Sequence, residues 1–400
     1  MTLRYNQVLQ NDTVKKLSLL FFTIHFSAWF SYVAIFALLL KYNADDLTIS
    51  YISAMFFAPA ILLAPISGAI IDKFNPKTLL KSYIFIELIT TIFYLQFDSL
   101  EFIWVLAFLI FIRAGASSLY FATQMSLMPQ IISGKDLQTV NEIQSIIWSL
   151  SFTLGMAIGG IVVNQIGEFN SIKIDILLFI VALYYFRTIV FENKFEKNNI
   201  KFTKLISEGY QYLKSNIYII KLIFLHACVA FTSFDTLVVL LANTQYKGTI
   251  AIALSIGLTN ASRAFGLMIG PIWLGKIVNS TNFTYILLAQ ALVIIIWSYM
   301  QFNFYFGLIS IFFVGIFTTT IWSYTYALIQ NNTEEKYLGR VLAYNDMIFM
   351  SFNVIVSLMI GYLSSVGVLH QTITIVLALG FVITAIFYKK QIVQNIYNTN

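Results

Sequence analysis

Charge is what this sequence has least of. Of 400 residues only 10% are Asp, Glu, Lys or Arg, against roughly 25% in a soluble domain. The 24 basic and 18 acidic residues cannot coat a chain of this length, which excludes an ordinary water-soluble enzyme, a nucleic-acid binder and a disordered chain. A single cysteine, Cys228, excludes an intrachain disulfide. Also lacking are a Gly-x-Ser-x-Gly elbow, a Walker loop and any ligand-spaced metal cluster. No catalytic constellation, no cofactor and no ATP-driven pumping within this chain are therefore expected. The first 14 residues are polar and the first apolar run is long enough to be a span, so no cleavable leader is legible.

What is there instead is apolar: 59% of residues are hydrophobic. Apolar runs fall at roughly 17–40, 48–71, 79–97, 102–122, 141–166, 172–190, 218–241, 250–274, 283–300, 304–327, 341–364 and 370–388. Each is near the ~20 residues that a membrane-spanning helix requires, and in lipid such runs must be helical. The expectation is an all-α, twelve-span membrane protein with short connections. One charged stretch, 191–217, divides the spans into residues 1–190 and 218–400, and Phe202 to Leu213 within it reads as an amphipathic segment. Nineteen of the 24 Lys and Arg lie in segments on one side, seven of them between Arg187 and Lys221. The positive-inside rule then places both termini and the middle loop in the cytoplasm, with the chain in the inner membrane. The net charge of +6 is topology and calls for no nucleic-acid partner.

The halves are weakly self-similar. Sliding the second half back by 201 residues puts His226 on His25, Ala327-Leu328-Ile329 on Ser126-Leu127-Met128, Lys336 on Lys135, Leu338 on Leu137 and Gly361 on Gly160. The second and eighth spans need a different offset. Duplicated six-helix halves are how many secondary transporters build a central site that can face either side.

After the second apolar run the chain reads Gly68-Ala-Ile-Ile-Asp72-Lys73-Phe-Asn75-Pro76-Lys77. Gly68 would allow close helix approach, Asp72 can meet a helix N-terminus or a cation across the half-interface, and Lys73 and Lys77 hold the loop on the basic side. This segment resembles the loop signature of the major facilitator superfamily. Asn75 stands where that family prefers glycine, a swap tolerated because Asn accepts left-handed backbone. The second copy, Gly275-Lys276-Ile277-Val278-Asn279, keeps the glycine and has Asn279 opposite Asp72. Arg113-Ala-Gly115 is similar to the family's membrane-embedded arginine motif. Leu137 to Gln144, Gly155-Met-Ala-Ile-Gly159-Gly160 and Gly339-Arg340-Val341 resemble the branch holding the enterobactin exporter, macrolide efflux pumps and nickel-resistance permeases. Met156 departs from the proline usual in the exporters' fifth span, while Gly155, Gly159 and Gly160 keep a close-packing face.

The resemblance implies two pseudo-symmetric six-helix bundles working by alternating access as a monomer among membrane lipids. It further implies secondary transport of a small molecule, driven by a proton gradient. Export of a drug-like or siderophore-like compound is the first expectation; a nickel-type or metal-chelate permease, a lysophospholipid transporter and an uptake transporter stay open.

Ionisable residues inside spans are costly and are functional candidates by default. Asp235, flanked by Thr232, Ser233 and Thr236, is the first proton-carrier candidate; Glu87, Arg113 and Arg263 stand behind it. Arg263 is placed to pair with Asp235 from the neighbouring span or to bind an anionic substrate. Asp175 and Asp346, near span ends, read as interfacial. The repeat-equivalent His25 and His226 are either hydrogen-bonding core residues or, facing one another, a weak transition-metal passage. Trp29, Tyr32, Trp148, Asn260, Trp322 and Tyr326, in spans that line the cavity of this family, are candidate substrate contacts, the rings suiting a large amphipathic or cationic molecule.

Overall fold

The computed structural model describes residues 8–132, 134–190 and 202–393; the side chains of Ala69, Asp72, Gln130, Lys135, Gln138, residues 202–206 and Val393 are not among those described. Among the described residues the chain is helical and forms no strand. In order come α1 (Asp12–Lys41), α2 (Asp46–Met55), α3 (Ala58–Lys73), α4 (Pro76–Tyr94), α5 (Ile103–Ile131), α6 (Gly134–Ile166), α7 (Glu168–Phe186) and α8 (Phe202–Ser215). Then follow α9 (Ile217–Ala227), α10 (Asp235–Asn243), α11 (Ile252–Trp273), α12 (Phe283–Met300), α13 (Phe304–Asn332), α14 (Leu338–Ser365) and α15 (His370–Tyr388). Eleven stretches are long and apolar enough to cross a membrane, α2–α3 and α9–α10 each counting as one. The 19-residue α4, which carries Lys77, Lys81 and Glu87, completes twelve membrane-length segments.

Helix starts follow local chemistry. Asn11, Asp45 and Asn303 cap α1, α2 and α13 by accepting from the backbone N–H groups of Val14, Thr48 and Tyr305. Asn75 caps α4 in the same way, with Pro76 at the first helical position, and its φ is −62°. The left-handed backbone expected at Asn75 is therefore absent: the residue earns its place as an N-cap. Two apolar runs are not continuous helices. Span two breaks at Phe56-Phe57, because Pro59 has no N–H and its ring would meet the carbonyl of Met55. Span seven, expected unbroken over 218–241, narrows to a 3₁₀ turn at Cys228–Thr232, and Ser233 (φ −75°, ψ 70°) leaves the helix before α10 restarts at Asp235.

Packing repeats between the halves. In the first, α4 lies on α5 and α7, and α1 lies on α6 and α7; in the second, α12 lies on α13 and α15, and α9 with its 3₁₀ turn lies on α14 and α15. The halves then meet twice, α6 against α11 and α14 against α2 and α3. Gly155 and Gly159 seat α6 on α1, since a Cβ there would come within 3 Å of Phe26 O or Phe30 O. Gly160 seats α6 on α11, where a Cβ would stand 2.8 Å from Ala253 O. Close approach is made at these glycines and not at Gly68, which has open space around it. Large apolar side chains such as Trp104 (72% exposed), Phe108, Leu177, Ile272 and Ile383 form the outer belt that lipid covers.

Short turns make successive spans alternate in direction, so the start of α1 and the end of α15 share the side that carries the basic loops, called the basic side below. The middle-loop expectation for residues 191–201 lies outside the described residues. The part that follows is α8, docked on the second half: Tyr212 stacks on Tyr337 at 4.2 Å, and Arg340 pairs with Glu208 at 2.8 Å. Of the Gly68–Lys77 loop, Lys73 is exposed with its ammonium 5.6 Å from the Phe74 ring centre, Lys77 is exposed, and the Asp72 side chain lies outside the described residues.

Candidate functional site

Two groups of buried ions sit in the membrane interior, one in each half. In the first half α5 presents Arg113, whose Nη2 is 3.0 Å from Asp175 Oδ2 on α7 and whose Nε is 3.9 Å from Glu87 Oε2 on α4. Glu87 and Asp175 are 0% exposed. Ser27 on α1 donates its hydroxyl proton to Asp175 Oδ1. The guanidinium lies 5.6 Å from the Tyr94 ring centre and 5.1 Å from that of Phe179, contacts that help a desolvated cation. Neither carboxyl oxygen of Glu87 has a hydrogen-bond partner among the described residues. Asp175, expected at an interface, is thus a core ion-pair partner. Lys173 two residues earlier is exposed and marks the span end, but about half a helical turn carries Asp175 round to the inner face and to Arg113.

The second group is smaller. Arg263 on α11 donates from Nη2 to Asp235 Oδ1 at 2.9 Å and from Nη1 to Thr232 O at 2.9 Å. The break in span seven exposes that carbonyl and puts Asp235 in the first turn of α10, where a carboxylate also meets the positive end of the helix. Ser233, at the break, donates to Asn353 Oδ1 of α14. The Arg263 guanidinium also lies 5.7 Å from the ring centre of Phe152 on α6, so this group touches the other half. Asn260, one turn before Arg263, is buried with its Oδ1 unpartnered among the described residues.

The aromatic candidates form two clusters. Trp29 stacks on Phe152 at 4.1 Å and meets Trp148 edge-on at 6.2 Å, beside Arg263; Tyr32 packs on Phe36 and Phe56. In the second half Trp322 and Tyr326 stack at 4.9 Å, and both rings, with Phe349, surround His226 at 5.4–5.7 Å. Thr325 gives its own proton to Ile321 O, so it accepts from His226 Nδ1 at 2.8 Å and fixes that tautomer. His25 instead packs on Phe21 at 4.3 Å and on Phe121. The two histidines share no partner, and no group of three His, Cys, Asp or Glu gathers as a metal cage among the described residues.

Sequence reasoning missed Asp175, Ser27, Phe152, Thr325 and Asn353 as parts of these groups. Asp175 carried a usable signal, an acid inside an apolar run. The others are ordinary span residues that only the packing singles out.

Residues 17–356 match the family model described as Major Facilitator Superfamily. The fold is similar to that of the nucleoside transporter NupG, with a TM-score of 0.71, 15% identity, and 94% of this chain covering 98% of that one. It is also similar to a bacterial homologue of the human lysosomal transporter Spinster in an inward-facing, unoccupied conformation (TM-score 0.74, 14% identity, 96% of each chain). At these identities the likeness is one of fold. No curated protein sequence matches closely enough to count as a relative. The family match covers most of the chain and agrees with the helix packing, the loop motif and the buried charges: the chain belongs to the major facilitator superfamily of membrane transporters and is not an enzyme.

Proposed function

We propose that this protein exchanges a small molecule for protons by alternating access, and that Glu87 is the proton carrier. The observation behind this is a charge count. Arg113 faces two carboxylates in a fully buried setting, so the cluster holds a net charge of −1 unless it also holds a proton. A net charge in the membrane interior costs several kcal/mol. Asp175 has the closer guanidinium contact and the Ser27 hydroxyl, both of which favour its ionised form. Glu87, 3.9 Å away and without hydrogen bonds among the described residues, is the group left to carry the proton. Asp235, the first candidate from sequence, is already balanced by Arg263 and serves better as a fixed tie between the broken span and α11.

In this account the halves rock about α6–α11 and α14–α2/α3, and proton release from Glu87 to one side alternates with substrate release to the other. The basic loops set the termini and α8 in the cytoplasm of the inner membrane. Export follows the resemblance of Leu137 to Gln144 and of Gly339-Arg340-Val341 to the exporter branch; the fifth span, where Met156 replaces the exporters' proline, does not add to it. The monomer is the working unit, because each half supplies one buried ion group. A transition-metal passage between His25 and His226 gains nothing from the geometry, since each ring sits in its own aromatic cluster.

The test uses everted vesicles with an acid interior and a pH-sensitive dye. Lipophilic cations, a macrolide, nickel, a catecholate siderophore, uridine and a lysophospholipid are added in turn. The expected result is dequenching by one class that disappears in Glu87→Gln. Undiminished proton flux in that variant would overturn the carrier assignment.

A further inference from the structure

On the side opposite the basic loops, α2, α14, the start of α15 and the end of α10 meet in a polar chain that touches neither buried ion group. Ser364 Oγ of α14 donates to Asp46 Oδ2 of α2 at 2.5 Å, a bond that joins the two halves. The same Ser364 oxygen is 2.9 Å from His370 Nε2, and His370 Nδ1 is 3.3 Å from Thr244 Oγ1. Three residues before Ser364, a Cβ on Gly361 would collide with Ser50, so the α2 and α14 backbones touch beside this chain.

The protons can be counted. A hydroxyl has one to give. That of Ser364 goes to Asp46, and that of Thr244 goes to Leu240 O at 2.8 Å. With both hydroxyl protons so placed, both oxygens can accept from the ring, and only an imidazolium, with two N–H groups, donates to both at once. Partial burial opposes a charge on the ring, and the Asp46 carboxylate, one hydroxyl away, offsets part of that cost. Asp46 is the charged side chain acting on His370 among the described residues, and Asp45 and Lys247 on the adjoining turns are exposed.

We propose that protonated His370 pins a latch that holds the two halves together on the side opposite the basic loops, so that acid there favours the state closed there. A neutral ring cannot serve both oxygens. A ring with its one proton on Nδ1 draws the Ser364 proton to Nε2 and releases Asp46, whereas one with its proton on Nε2 keeps that bond and gives up Thr244, so deprotonation weakens the link between halves. Uptake of a proton from that side would then close the path behind it, the order that an exchanger needs. The inference rests on the transporter reading above but not on Glu87.

The test is a distance measured across that side in the full chain in lipid nanodiscs. Spin labels go on the exposed positions Glu101 and Lys247, each changed to Cys in a Cys228→Ser background. Between pH 5 and 8 the ratio of closed to open distances should fall with rising pH, by up to about ten-fold per unit where one proton is released. His370→Gln should remove the pH dependence, and Ser364→Ala, which spares the ring, should favour the open distance at every pH. The proposal fails if the unmodified latch shows no pH dependence or if His370→Gln keeps it. A pH dependence abolished by Glu87→Gln and kept by His370→Gln would move the sensor to the first-half cluster, whereas loss of proton exchange alone in Glu87→Gln leaves the latch standing.

Discussion

The two buried ion groups differ in one respect that organises the rest. Around Arg113 there is one cation for two carboxylates; around Arg263 there is one for one. A balanced pair needs no proton and can be a permanent strut, here fastening a broken helix to its neighbour. An unbalanced cluster is electrically tolerable only with a proton aboard, and a group that must hold a proton when sealed can give it up when opened to water. The comparison shows that counting charges within a buried cluster separates coupling from scaffolding more sharply than burial does, since both groups are buried.

The comparison breaks most visibly if Arg113 is removed. Arg113→Gln leaves the desolvated Asp175 carboxylate without its cation and should cost about 3–5 kcal/mol, read as loss of folded protein in a detergent melting assay. Adding Asp175→Asn to that variant should recover much of the loss, because the acid that needed the cation is gone; no recovery would mean that Arg113 acts through packing.

Next in size is the balanced pair. Arg263→Gln and Asp235→Asn should each destabilise by a few kcal/mol, with the arginine change larger because it also abandons Thr232 O. Together they should cost less than the sum of the two, a coupling that a double-mutant cycle measures. Strict additivity would deny the strut.

Glu87→Gln should be far milder for stability, within about 1 kcal/mol, because glutamine mimics the protonated acid and Glu87 makes no hydrogen bond that is lost. A melting point lowered as far as in the Arg113 variant would show that Glu87 is ionised. The smallest expected change in coupling comes from the hinge between halves. Gly160→Ala places a methyl 2.8 Å from the Ala253 backbone oxygen and 3.2 Å from Gly257 Cα, so α6 and α11 must move apart and stability falls. Exchange rate should fall while the proton stoichiometry stays as it was; a changed stoichiometry would tie the hinge to coupling.

Much of the fold was legible because lipid leaves few choices: long apolar runs must be helices, and basic loops sort to one side. The Asp235–Arg263 pairing was also legible, since adjacent spans carrying opposite buried charges have little else to meet. The break at Ser233 was not, because no Pro or Gly marks it and its support comes from Arg263 in the next span and Asn353 in the eleventh. Asp175 was misplaced because its neighbours looked like a span end, while its place on the inner face of α7 brings it to Arg113. The contact between Asp46 and Ser364 joins residues 318 positions apart, beyond the reach of any local pattern.

The central claim is that Glu87 holds a proton in the sealed cluster, and infrared spectroscopy of the purified protein reads this directly. At neutral pH the spectrum should contain a carbonyl stretch of a protonated carboxylic acid that vanishes in Glu87→Gln, and that is lost in Asp175→Asn as well, where Arg113 balances Glu87 alone. The absence of such a band, or one that survives Glu87→Gln, would contradict the account.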